Sequence, residues 1–175
     1  MDIRSEARIA HPQRAVFEAY RDHLPEAARF IPDVREIVVR KREESNGRVS
    51  LHNEWASDRE IPSVASAFLK PEHLRWDDFA VWTDADSAGD WQIKTRVFTD
   101  RVTCRGRTAI LADGPKACRV VLTGQLRIEI TELPGVPSFL AKRLGPQVEK
   151  FIVTLITPNL ESTNRGIAAW LDSRG

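Results

Sequence analysis

The sequence predicts an α+β fold: a curved antiparallel sheet of about seven strands wrapped around a long C-terminal helix, with two short helices after the first strand. Three observations predict it. From Val34 to Ile130 most segments alternate apolar and polar side chains with a period of two, the mark of half-buried strands. The connections are short and carry Asn-Gly or Asp-Gly, so consecutive strands pair antiparallel. From about Leu140 to Asp172 the period becomes helical. Helices of an antiparallel sheet gather on one face. A sheet of this width twists and curls, and one long helix is the natural cover for its concave side.

The elements follow in order. DIRSEARIA sets Ile3, Ser5, Ala7 and Ile9 on one face and Arg4, Glu6 and Arg8 on the other, a strand. Pro12 opens a helix, PQRAVFEAYRDHL, at the first-turn position where a missing N–H costs nothing. A second short helix, PEAARF, stops before Ile31-Pro32, because the residue before proline is pushed out of the helical region. VREIVVRKREE and RVSLHNEWAS flank Ser45-Asn46-Gly47, a hairpin. IPSVASAFLKPEH reads as a short helix or an irregular crossing. LRWDDFAVWTDA, DWQIKTRVF and RVTCRGRTAILA are strands, and Asp113-Gly114-Pro115 turns into ACRVVLTGQLRIEI, the longest. TELPGVPSF breaks the pattern before the final helix.

The chain has 175 residues, 42% hydrophobic and 29% charged, which suits one globular domain over 1–175. A formal net charge of +1 gives no general attraction to nucleic acid or an anionic membrane. MDIRSEARIA carries no apolar run of a secretory signal, and no stretch approaches a membrane span. Cys104 and Cys118 form neither a metal-ligand spacing nor a disulfide framework, so a cytoplasmic protein with free thiols is expected. His11, His23, His52 and His73 are scattered, and no nucleotide or hydrolase motif is present; no metal and no cofactor are expected. Oligomeric state is not legible.

Three segments carry a resemblance: HPQRAVFEAYRD, FIPDVREIVVRKREESNGRVSLHNEW and VEKFIVTLITPNLESTNRGIAAWL. With the order of elements over the whole chain, they resemble the START-like, Bet v 1-like (SRPBCC) helix-grip superfamily, including its polyketide cyclase/dehydrase-type and coenzyme Q-binding members. The resemblance implies a hydrophobic cavity between sheet and C-terminal helix for a small ligand such as a lipid, sterol, quinone or polyketide. It also implies an alternative, a cofactor-independent aromatase/cyclase-type enzyme acting in the same cavity. No family active-site motif matches position by position.

The residues themselves suggest what would line such a cavity. On a helical wheel Val148, Ile152, Leu155, Asn159, Thr163, Ile167 and Trp170 share one side, with Thr154, Thr157, Glu161 and Arg165 opposite. Pro158 cannot donate to the carbonyl of Thr154, so a bend is expected there. Asn159 and Thr163 either orient a ligand or satisfy polar groups that the bend exposes. The strands contribute Asn53 and Trp55, then Trp76, Asp78 and Trp82, then Trp91 and Thr95, then Thr108. Tryptophan mixed with Asn and Thr reads as a pocket wall; a large aromatic core with paired indole N–H groups is the alternative. Phe79 and Val81 leave the facing of the Trp76 strand open. Asp78 is the candidate catalytic acid or base, since burial raises a carboxyl pKa.

Charge is uneven. Residues 54–90 hold nine acidic and three basic residues, and 94–127 hold eight basic and two acidic. Pairing across adjacent strands accounts for both blocks without a nucleic-acid partner. Phe139, Leu140, Lys142 and Arg143 make 133–143 a candidate for transient contact with a membrane surface; a turn leading into the helix is the plainer alternative.

Overall fold

The computed structural model describes residues 1–61, 63, 66, 70–96, 99–129 and 138–175, without the side chains of residues 138–141 and 155. Strand β1 (Asp2–Ile9) leads into helix α1 (Gln13–Asp22), α2 (Leu24–Ala27) and a 3-10 turn, Ala28–Phe30. Six strands follow: β2 (Val34–Ser45), β3 (Arg48–Ser57), β4 (Arg75–Thr83), β5 (Ala88–Thr95), β6 (Val102–Ala112) and β7 (Cys118–Ile128). Helix α3 (Ser138–Asp172) ends the chain. The seven strands form one antiparallel sheet in the order β1-β7-β6-β5-β4-β3-β2, so the excursion through α1 and α2 carries the chain from one edge to the other. The expected α+β arrangement is present, with its long helix at the C-terminus. Of the proline-flanked stretch after β3, Pro71–His73 form a 3-10 turn, while 62, 64–65 and 67–69 lie outside the described residues. The break at 130–137 also lies outside them.

Local chemistry fixes the register. Asn46 and Gly47 both adopt left-handed φ, 51° and 72°, and Ser45 pairs with Arg48. That two-residue loop has the positive dihedrals that match the twist of the flanking strands. Register shifts in β2 near Arg35 and Arg40 mark bulges, which bend the strand at the sheet edge. With the register set, every second residue of β3 to β7 points to the concave side. Phe79 and Val81 are exposed whereas Trp76, Ala80 and Trp82 are buried, which settles the facing of β4.

Wide rings need room on that side. Glycine provides it. A Cβ on Gly106 would stand 2.5 Å from the Trp91 ring and 2.3 Å from the Thr123 carbonyl oxygen, and one on Gly89 would meet the Trp82 ring at 2.6 Å. Trp91 therefore lies against Gly106 and Gly124, and Trp82 against Gly89. Phe17 of α1 meets Trp82 edge-on, with centroids 5.7 Å apart, beside the fully buried Val16.

The outer face is ionic. Glu54 collects Arg40, Arg75 and Arg96, and Arg96 also reaches Asp77, itself 2.7 Å from His52. Arg107 pairs with Asp90 and Asp86. The basic block on β5 and β6 is thus answered by acidic residues of its neighbours, as the cross-strand reading expects. These guanidinium groups hold the Glu54 carboxyl down at about 2. Between the charged rows an outer groove runs past Phe79, Val81 and Arg105, with Trp91, Gly106 and Gly124 at its floor.

Gly106→Ala is expected to destabilise the protein by about 1–3 kcal/mol, the usual cost of overpacking. Its Cβ meets backbone as well as the indole, so side-chain motion alone cannot relieve it. Urea unfolding of the variant checks this; an unchanged midpoint would mean that the ring is not seated as described.

Candidate functional site

Between the concave face and α3 lies a cavity, and its wall is mostly indole. Trp55, Trp76, Trp82 and Trp91 line it from the sheet, with Ala80, Ile93 and Leu122 between them. Trp55 and Trp76 are cross-strand partners and stack with centroids 5.7 Å apart and planes at 21°. Tyr20 and Leu24 close it from the first helices, and Ile156, Asn159, Leu160 and Thr163 from α3. About 70 Å³ of the void can take the centres of water molecules. At ~10–15 Å³ each that is room for about five waters or one compact organic molecule.

The sequence-derived candidates divide. Trp55, Trp76, Asp78, Trp82, Trp91, Thr108, Asn159 and Thr163 all line the void. Thr95 is half-buried and is not among the lining residues, since it sits near the end of β5 beyond Ile93. Asn53 is also absent from the lining although almost fully buried. It stands opposite Asp78 in the strand pairing and donates its Nδ2–H to Asp78 Oδ2 at 3.2 Å, so its role is to hold that carboxyl. The side chain of Leu155 lies outside the described residues, as do most of those at 133–143. Trp170 is buried but stacks on His23, away from the void.

Asp78 is the only charged side chain among the described lining residues. It is half-buried, and part of its surface faces the cavity. Desolvation pushes its pKa up to about 6, against the opposing pull of the Asn53 amide, the Trp55 indole and the charge of His52 behind the sheet. The Trp55 Nε1–H lies close to it without reaching hydrogen-bond geometry. Trp55 Nε1 and Trp82 Nε1 are buried donors with no partner among the described residues, whereas Trp91 Nε1 donates to Thr108 Oγ1 at 3.1 Å. Burial also pushes the Cys104 thiol up to about 12, leaving it protonated and inert.

Helix α3 explains its own polar stripe. Thr163 donates its hydroxyl to the carbonyl of Asn159 at 2.7 Å, one turn back. Pro158 lacks the N–H that would have reached the Thr154 carbonyl, and Arg59 Nη1 donates to that oxygen instead. So Thr163 answers a local carbonyl, and the carbonyl freed by the proline is answered from the segment after β3. Thr157, expected to face water, is half-buried with Oγ1 unpartnered. The cavity-facing positions 156, 159, 160 and 163 follow the i, i+3, i+4, i+7 spacing.

Tyr20, Ile156, Leu160 and Arg59 were not singled out from the sequence. Ile156 and Leu160 lie outside the stripe that the helical wheel draws through Val148, Ile152, Leu155, Asn159 and Thr163. Tyr20 shares the inner side of its helix with Val16 and Phe17, which does not single it out, and nothing around Arg59 signals a bond across 95 positions of chain.

Two predictions follow from these bonds. Arg59→Met should cost about 1–3 kcal/mol by stranding a buried carbonyl. Adding Pro158→Ala, which supplies the missing N–H, should return part of that loss. Strict additivity of the two changes in a urea double-mutant cycle would refute the shared carbonyl. For Asp78, the folded pKa of about 6 lies above the ordinary 3.8, so the folded chain holds its proton more tightly. The stabilisation from this protonation is full below about pH 4 and is lost as pH rises through 6. Asp78→Asn should therefore be more stable than wild type at pH 8, by on the order of 3 kcal/mol at ~1.4 kcal/mol per pH unit. The gap should close below pH 4, as read by unfolding at both pH values.

No protein-family model matches the chain, and no curated protein matches it by sequence. Solved structures do. The Zhui aromatase/cyclase from Streptomyces sp. R1128 superposes with a TM-score of 0.60 at 13% identity, over 99% of this chain and 94% of that one. Truncated norcoclaurine synthase from Thalictrum flavum gives 0.61 at 13% identity, over 98% and 92%. Ara h 8.0201 gives 0.55 at 11% identity, over 99% and 98%. At such identities the likeness shows the fold alone: the curved seven-stranded antiparallel sheet of this chain, with its long C-terminal helix, is an α+β helix-grip arrangement.

Proposed function

We propose that the protein binds a compact, largely apolar small molecule in the cavity between the sheet and α3. One observation carries the reading: four tryptophans and a tyrosine converge on a void that a core of aliphatic side chains would have filled. Pockets of this kind, apolar with a few placed polar groups, are where small ligands bind. Space for about five waters favours a small aromatic or quinone-like body over a sterol or a long acyl chain, which would require lining side chains to move.

A second reading has its own support. Asp78, poised near 6 on the cavity wall, can take or return a proton at neutral pH. An aromatase/cyclase with the same fold makes an enzyme of that kind the alternative. Asp78→Asn separates the two, since an enzyme loses turnover with binding intact.

Titration with 2-naphthol, a fatty acid and a sterol, followed by indole fluorescence, tests the binding reading. Saturable binding of the naphthol, at least tenfold weaker in the cavity-filling Ala80→Leu, is the expected result. If none of the three gives a saturable change, the cavity is not a ligand site and the domain is better read as a structural or partner-binding module.

A further inference from the structure

The cavity is selective in sign as well as in size. Asp78 has no ion-pair partner among the described residues, although arginines are plentiful nearby. Arg40, Arg75 and Arg96 all lie on the outer face, committed to Glu54, and Arg96 also to Asp77. Asp77 and Asp78 are neighbours in sequence on opposite faces of β4. The first is tied to His52 and Arg96. The second meets a neutral amide. A lone carboxylate in an apolar site is costly unless a proton or a cation neutralises it.

The wall acts on the same sign of charge. The faces of aromatic rings attract cations, and indole does so most strongly. The strand register gathers the rings around the carboxyl: Trp76 lies two residues from Asp78 on β4, Trp55 faces Trp76 across β3, and Trp91 faces Ala80 across β5. Trp82 closes the row two residues beyond Ala80. A hydrocarbon would leave the carboxylate unanswered, a neutral donor would only hydrogen-bond it, and an anion would be repelled by carboxylate and ring faces alike. From the other elements the groups near Asp78 are His52 behind β3, the protonated Cys104 on β6 and the Tyr20 phenol on α1; α3 presents the uncharged Ile156, Asn159, Leu160 and Thr163.

We infer that Asp78 is the counter-ion for an organic cation, an ammonium or quaternary ammonium group carried on a compact apolar body and seated among Trp55, Trp76, Trp82 and Trp91. This rests on the cavity being the ligand site proposed above and names the chemical class of what enters it. The carboxylate neutralises the head, and the indoles solvate it without water.

Phenyltrimethylammonium and tert-butylbenzene test the inference, because they have nearly the same shape and differ in one positive charge. At pH 7.5 the cation is expected to bind wild type at least tenfold more tightly than the hydrocarbon. That preference should vanish in Asp78→Asn and shrink in wild type at pH 5, where Asp78 is mostly protonated. Unchanged tert-butylbenzene affinity would show that the variant keeps its cavity; should it not fold, the wild-type pH comparison decides. Equal or tighter binding of the hydrocarbon at pH 7.5 overturns the inference, as does a cation preference that survives Asp78→Asn. If 2-naphthol binds and phenyltrimethylammonium does not, the counter-ion role falls and the ligand cavity stands. If neither aromatic probe nor the cation binds, both fall together.

Discussion

A seven-stranded sheet that curls has more concave surface than one helix can cover with aliphatic side chains. Here the difference is made up by indoles. Two of them lie flat on glycines: Trp82 on Gly89, and Trp91 on Gly106 and Gly124. A side chain at any of these positions would lift its ring into the void or push the strands apart. The cavity therefore owes its shape to residues that have no side chain. The polar groups of the wall depend on the same arrangement, since Thr108 holds Trp91 by its N–H and Asn53 holds Asp78 across β3 and β4.

The sequence conveyed the architecture well, for reasons that are local. Alternation over ten or so residues identifies a strand, and Asn46-Gly47 identifies a hairpin before any tertiary contact is known. Alternation alone gives the inner faces of β3 and β5, with Trp55 and Trp91; for β4 it leaves two choices, and the burial of Trp76, Ala80 and Trp82 decides between them. What alternation cannot give is depth. Asn53 and Thr95 share the inner face with these tryptophans, yet one lies beneath Asp78 and the other beyond the end of the void. Those positions depend on strand register and on where the helix crosses, both set by contacts distant in sequence. Arg59 is the extreme case: its partner is a backbone oxygen that exists as an open acceptor only because Pro158 is where it is.

Asp78 places stability and chemistry in opposition. Replacing it with a neutral residue of the same shape would relieve a buried charge, so its presence opposes folding at neutral pH. Groups that weaken a fold in this way are characteristic of working sites, whereas on the outer face Glu54 meets three guanidinium groups and Asp77 meets Arg96 and His52. The two faces of one strand thus treat adjacent aspartates in opposite ways, pairing the outer with Arg96 and His52 and setting the inner against a neutral amide.

Trp91 stands between the inner void and the outer groove. With no side chains on Gly106 and Gly124, its ring lines the inner void and also reaches the floor of the outer groove beside Phe79 and Val81. At that spot the wall is one indole thick. A molecule settling on the convex surface would press on the same rigid plate that a molecule inside leans against, so the two compartments share a common membrane-like partition with no intervening side chain to absorb the movement.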